Sequence, residues 1–245
     1  MYVNKSETSV TGNLYCGLME FEEMSFLLHY LHSEDLFVDV GANSGSYTIL
    51  ASAVRGCSVI SFEPVHDSYI RMLKNVELNQ VHHLVDLRNK AIGAEVGRTL
   101  ITSNFDSMNR ILVNNVSNKD AISVEISTLN REIRRIPKII KIDVEGFESQ
   151  VLAGASDLLK NESLQAIIIE LNGSGRNYGF NDSTIADTLV KSGFKAVSYD
   201  PWSRNLRILD IDFNKFGNTI FVRNLDSSGS VLLNADKFKI FNLLI

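Results

Sequence analysis

The chain is short of the residues that would brace an unusual fold. It has two cysteines, Cys16 and Cys57, far apart and outside any Cys-x-x-Cys spacing. Neither a disulfide framework nor a thiolate zinc site is expected. Three prolines, no glycine/serine linker, no internal repeat and no block of like charge leave no obvious place to divide it. Positive charge is also scarce: 24 Lys and Arg stand against 29 Asp and Glu, a net −5, which argues against the basic footprint of a nucleic-acid binder. No apolar run approaches the ~20 residues of a membrane span. The opening MYVNKSETSVTGN lacks the apolar stretch of a signal peptide. These absences predict a soluble, cytoplasmic protein in a reducing compartment, with no nucleic-acid partner.

What is present is a globular balance, with 44% apolar residues among 245, enough for a core that needs no staple. Apolar runs alternate with segments of helical period. Strands are expected over Leu36–Val40, Ser58–Phe62, Leu84–Ile92, Ile139–Ile142, Ala166–Leu171, Lys195–Tyr199 and Thr219–Arg223. Thr99–Ile101 and Ser123–Leu129 are weaker strand candidates beside an irregular polar stretch, Asn104–Asp120. Helices are expected over Ser46–Arg55, His66–Leu78, Phe147–Lys160 and Thr184–Lys191. This alternation predicts a doubly wound α/β fold, with ligands bound where the strands end. Residues 1–35 read as an N-terminal extension, and residues 36–245 as the domain it precedes. The helix over Met19–Leu31 reads as a cap for the sheet, and residues 1–31 as a cover for the pocket or a contact in a homodimer.

The first strand runs into Asp39-Val40-Gly41-Ala42-Asn43-Ser44-Gly45, a turn whose glycines allow close backbone approach to a ligand. A helix N-terminus follows, and Glu63 stands 22 residues after Gly41 at the end of the second strand. A carboxylate there can accept both hydroxyls of an adenosine ribose. A dinucleotide fingerprint would read GxGxxG, but Asn43 occupies its second glycine position. Side chains at positions 42 to 44 would crowd a pyrophosphate more than the amino-acid tail of S-adenosylmethionine. Asp39 suits that tail's ammonium, and the N–H groups from Gly41 to Gly45 its carboxylate.

FVDVGANSGSYT, SFEP and IIKIDVEGFESQVLAGA together resemble the FkbM-type methyltransferases, class I enzymes that use S-adenosylmethionine, mostly on hydroxyl groups of sugars and secondary metabolites. The resemblance runs from about Leu36 to Arg223, and KIDVEGFE is its most specific block. It implies a mostly parallel, Rossmann-like sheet of seven strands with the last antiparallel. It also implies cofactor roles for Asp39, Gly41, Asn43, Gly45 and Glu63.

Asp143, Glu145 and Glu148 crowd the exit of a buried strand. An alcohol is a poor nucleophile until its proton is removed, and a desolvated carboxylate can remove it. These three are the catalytic candidates. Alternatively a divalent cation such as Mg²⁺, held by Asp143, Glu170 and Asn172, lowers the alcohol's pKa. The polar loop after the next strand offers Glu170, Asn172, Arg176 and Tyr178 to the acceptor, and Trp202 an exposed ring. Asn172 stands where family members often carry histidine, so no histidine base is expected there. The reading is a sugar or glycan O-methyltransferase. Its alternatives are an N-methyltransferase, a nucleoside-binding module without turnover, and a nicotinamide oxidoreductase disfavoured by Asn43.

Overall fold

A computed structural model describes residues 12–13, 15–102, 109–112, 121–209 and 217–245. The apolar runs form strands β1 (Leu36–Val40), β2 (Ser58–Phe62), β3 (Val85–Arg88), β8 (Ile139–Ile142) and β9 (Ala166–Leu171), all mutually parallel where they pair. β10 (Lys195–Asp200), β11 (Asn205–Ile208) and β12 (Gly217–Val222) complete an eight-stranded sheet in the order β11-β10-β12-β9-β8-β1-β2-β3.

Two expectations about the strands need correction. The main sheet has eight strands rather than seven, because β11 folds back antiparallel on β10. β11 is mostly exposed, and its Asn205-Leu206-Arg207-Ile208 alternation covers only four residues, the shortest run that announces a strand. β12 runs antiparallel to both its neighbours, as the resemblance implied. The strand expected over Leu84–Ile92 is two: after β3 the chain turns, with the Lys90 N–H donating to the Arg88 carbonyl, and β4 (Ala91–Ile92) joins another sheet. That second sheet has the order β4-β7-β5-β6, with β5 at Gly97–Thr102, β6 at Ile111–Leu112 and β7 at Ala121–Ser127. Of the polar stretch Asn104–Asp120, residues 109–112 contain β6 and the rest lies outside the described residues.

The helices are α1 (Phe21–Tyr30), α2 (Ser46–Ile49, continued by a π-helical turn over Leu50–Val54), α3 (His66–Leu78), α4 (Leu129–Glu132), α5 (Glu148–Ala153), α6 (Ser156–Lys160), α7 (Asp182–Lys191) and α8 (Leu225–Leu233). The helix expected over Phe147–Lys160 breaks at Gly154, where the Gly93 carbonyl lies so close that a Cβ would collide with it.

Successive strand residues point to opposite faces. Val38, Ile140, Ile142, Ile167 and Ile169 therefore pack in one core cluster with the α5–α7 side chains. Phe37, Val59, Ile139, Ile168 and Ile220 pack in the other, against Phe26, Leu27 and Tyr30 of α1. These three α1 residues are at most 1% exposed, and burying each contributes roughly 1.5–3 kcal/mol. Asp39 and Lys141 lie two residues beyond Phe37 and Ile139, so they share the α1 face, and they are paired across β1 and β8. Among the described residues, no helix is long and apolar enough to cross a membrane.

Candidate active site

A cleft opens at the C-terminal ends of β1, β2, β8 and β9, and Asp39, Glu63, Asp143 and Glu170 all line it. Its first half is built by the β1–α2 turn. Gly41 has φ +81°, and its α-hydrogen faces the Asp143 carbonyl at a distance that a Cβ would not fit. Glycine is therefore required where β1 and β8 separate. The Gly41 and Ala42 N–H groups donate to the Phe62 carbonyl, and that of Gly45 to Ala42. The Asn43 N–H donates to Glu63 Oε2 at 2.9 Å. These N–H groups are thus engaged in holding the turn rather than turned together toward a ligand, which corrects that expectation. Gly45 does not line the cleft: its open side faces Met72 of α3. Asn43 does line it, in a left-handed conformation (φ +49°) that Asn tolerates better than most residues.

Glu63 is 6% exposed; its Oε1 accepts from the Val65 N–H at 2.8 Å, so both oxygens are fixed by main chain. Burial nevertheless pushes its carboxyl up to about 7. Asp39 is 1% exposed and accepts from Thr48 Oγ1 at 2.7 Å through Oδ2, while Oδ1 has no protein partner. Burial raises its pKa, and Lys141 beside it works the other way.

The second half is a knot of acids. Asp143, Glu145 and Glu170 each present a carboxylate oxygen within 4.8 Å of the others. Lys141, 4% exposed, donates from Nζ to Asp143 Oδ2 at 2.7 Å and lies over the Tyr47 ring, 4.7 Å from its centre. Burial alone would lower its pKa, but Asp143, Glu20 and Asp39 outweigh burial and raise it. Burial first, then Asp143 and Glu148, push Glu145 up to about 7. Burial and the three neighbouring acids raise Glu170, whose Oε2 is buried without a partner. Three carboxylates so close cannot all stay ionised uncompensated. One lysine, bound protons or a divalent cation can balance them, and hard oxygens suit Mg²⁺.

Sequence similarity agrees with this architecture. Residues 39–197 match the family model of the methyltransferase FkbM domain. The chain belongs to the FkbM methyltransferase family. A tRNA (guanine(37)-N(1))-methyltransferase of Theileria parva is 27% identical over 143 residues, 56% of this chain and 28% of that protein. A hexuronic acid methyltransferase of Haloferax volcanii is 25% identical over 157 residues, 62% of each chain. The chain thus spans less than two thirds of either relative's length. A crystal structure of methyltransferase FkbM from Methylobacillus flagellatus KT shares the fold, with a TM-score of 0.53 at 14% identity over 87% of this chain and 53% of that one.

In this FkbM-family chain, several predicted site residues lie elsewhere. Glu148 is 1% exposed and outside the cleft; its Oε1 accepts the Val144 and Gly146 N–H groups, each at 3.1 Å. It clamps the loop in which Glu145 takes φ +54°, a strained value for a residue of its type. Asn172 is exposed, with Oδ1 accepting from the Ser174 N–H at 2.8 Å, so Glu145 replaces it in the acid cluster. Arg176 is exposed and does not line the cleft. Tyr178 donates to the Ile111 carbonyl at 2.8 Å and packs edge-on to Phe147, tying the loop after β9 to the second sheet. Trp202 is 57% exposed beside Phe21, their ring centres 5.6 Å apart.

Sequence reasoning missed Lys141, and it left the N-terminal segment either over the pocket or in a homodimer contact; the structure places it over the cleft. A lysine inside an otherwise apolar strand must have a buried counter-charge, a signal that was available. Asn13, Met19, Glu20 and Met24 line the cleft from the N-terminal segment, and Glu20 accepts from Tyr47 Oη at 2.5 Å. No local pattern identifies such long-range contacts.

Proposed function

We propose that the chain is an S-adenosylmethionine-dependent O-methyltransferase acting on a hydroxyl of a small polar acceptor, a sugar or glycan unit. The acid knot beside the cofactor end of the cleft carries this reading. Asp39, Gly41, Asn43 and Glu63 hold the cofactor, with Glu63 toward the ribose and the free oxygen of Asp39 toward the ammonium. Glu145 or Asp143 takes the acceptor's proton as its oxygen attacks the sulfonium methyl. A C–O bond forms, the C–S bond breaks, and S-adenosylhomocysteine leaves. Such base assistance contributes typically 10²–10⁴-fold. Lys141 orients Asp143, and Glu170, when protonated, donates to the acceptor.

The lining favours a sugar over RNA. Among its described residues are six acids, Glu20, Asp39, Glu63, Asp143, Glu145 and Glu170, and two lysines. Both lysines are engaged, Lys90 with Glu125 and Glu132, and Lys141 with Asp143. A phosphodiester chain would enter against that charge. The Haloferax volcanii relative, named for a sugar acid, supports a carbohydrate acceptor.

The test uses methyl-labelled S-adenosylmethionine with a panel of glycans and tRNA. Label is expected on a glycan hydroxyl. Label in RNA overturns the acceptor class, and failure to bind S-adenosylhomocysteine in calorimetry overturns the cofactor. A chelator separates base from cation: a rate lost in EDTA and restored by Mg²⁺ assigns the knot to a metal.

A further inference from the structure

Lys141 stands beside two acids and pairs with one of them. Asp39 is its neighbour across β1 and β8, on the same face of the sheet, where adjacent strands lie about 4.8 Å apart. Yet Lys141 Nζ donates to Asp143 Oδ2 at 2.7 Å, and Asp39 Oδ1 is left buried without a partner. Buried polar atoms are nearly always bonded, and a lysine on its flexible stem would satisfy such an oxygen unless something held it elsewhere.

What holds it is Tyr47. The centre of this buried ring lies 4.7 Å from Nζ, close enough for the ring's negative face to attract an ammonium, most strongly away from water. The Tyr47 hydroxyl donates to Glu20 Oε2 at 2.5 Å. A carboxylate acceptor draws the phenol proton toward itself and leaves the ring more negative. Glu20 comes from the N-terminal segment over the cleft. The residue after Tyr47 acts on the other acid: Thr48 Oγ1 donates to Asp39 Oδ2 at 2.7 Å. One turn of α2 therefore fixes both charges. Thr48 turns Asp39 so that Oδ1 is the open oxygen, and Tyr47 keeps Lys141 from closing it.

We propose that Tyr47, anchored by Glu20, is a positioning residue: it holds Lys141 on Asp143 and so reserves Asp39 Oδ1 for the ammonium group of the cofactor. The inference rests on the S-adenosylmethionine reading above and adds to it the reason why a lysine beside Asp39 does not take the ammonium's place. The two cations compete for one oxygen, because an oxygen already paired with Lys141 gains little from a second cation and the two like charges repel. Removing the ring should therefore weaken the hold on the charged tail. The adenosine contacts, which lie at Glu63, should stay as they are.

Calorimetry on the full chain tests this with S-adenosylhomocysteine and its deamino analogue, which has hydrogen in place of the ammonium group. The ratio of the two affinities reads what the ammonium contributes, and wild type should favour S-adenosylhomocysteine about tenfold or more. Tyr47→Leu should lower that preference about fivefold or more, with affinity for the deamino analogue within about twofold of wild type. Tyr47→Phe and Glu20→Ala break the same hydrogen bond from either side, so each should lower the preference by a similar, smaller factor. Adding Lys141→Met to Tyr47→Leu removes the competing cation and should restore the preference to within about twofold of wild type, which a merely structural role of Tyr47 would not allow. An unchanged preference in Tyr47→Leu, or a lost one that Lys141→Met does not restore, overturns the inference and leaves the cofactor reading standing. Wild type that binds both compounds alike overturns the role of Asp39 and the inference with it. Wild type that binds neither overturns the cofactor itself. If Tyr47→Leu does not fold, Tyr47→Phe with and without Lys141→Met decides.

Discussion

At the exit of β2 both oxygens of Glu63 are held by main-chain N–H groups, whereas at the exit of β9 Glu170 keeps a buried oxygen with no partner. The two ends of one cleft thus meet burial differently. The half built by the β1–α2 turn satisfies Glu63 through main chain held by its own hydrogen bonds, and leaves one buried oxygen of Asp39 without a partner. The knot at β8 and β9 leaves like charges together and a glutamate at positive φ. Unrelieved polar groups and strained backbone concentrate where chemistry is done, because a reacting group can relieve them. Lys141 joins the halves: it pairs with Asp143, and its strand neighbour across β1 is Asp39.

The sharpest way to break this contrast is Gly41→Ala. A Cβ there meets the Asp143 carbonyl from a left-handed backbone, so both halves must shift. A loss of about 3–5 kcal/mol in chemical denaturation is expected, in the range of the most damaging core changes. A Gly41→Ala protein of wild-type stability and S-adenosylhomocysteine affinity would show the halves to be less tightly joined than argued.

Next come two glutamates that should fail in opposite ways. Glu145→Gln removes a proton acceptor and should lower kcat by ~10²–10⁴, with S-adenosylhomocysteine affinity changed less than threefold. Glu63→Gln should weaken that affinity about tenfold or more, a loss near ~1.4 kcal/mol. Calorimetry with a single-turnover assay separates them; if each substitution moves both quantities alike, the division of labour is wrong.

A smaller effect is the response to pH. Glu145 and Glu148 are raised to about 7 in the folded protein, while the unfolded chain releases these protons near ~4.3. Between those values the folded state binds more protons than the unfolded state. Stability therefore falls as pH rises from about 4.5 through 7, by roughly 1 kcal/mol for the partly solvated Glu145. Denaturation midpoints measured across that range should decline, and Glu145→Gln should flatten the decline. If Glu145 is the base, kcat rises through the same interval as stability falls.

The smallest effect is expected at Arg176→Ala, on the exposed loop outside the cleft. Stability within about 0.5 kcal/mol of wild type and kcat/KM within twofold are expected. A tenfold loss of kcat/KM would put this loop back in the acceptor site.

The local order of the chain was legible where periodicity was strong. The buried strands and α3 follow directly from apolar spacing, and so does the placing of Asp39 near the end of β1 and of Glu63 and Asp143 just past β2 and β8. β11 was not read as a strand, because its alternation covers only the four residues Asn205–Ile208, most of them exposed. The split between β3 and β4 was hidden because one apolar run serves two sheets. Among site residues, Asp143 and Glu145 stood out by crowding alone. Glu148 belongs to the same crowd, yet its carboxylate turns inward to bind main chain, a choice made by the loop's conformation rather than by residue type.

By itself the sequence determined where β1, β2, β8 and β9 begin and end, since alternation and glycine placement act over a few neighbouring positions. It also fixed the family and the kinds of groups at the strand exits. Tertiary structure alone decided which exits meet, that Glu145 rather than Asn172 joins Asp143 and Glu170, and that Glu20 of the N-terminal segment reaches Tyr47 above Lys141. These contacts join residues tens of positions apart. Only packing of the sheet and its helices sets their distances, and those distances set how burial and charge act on each acid.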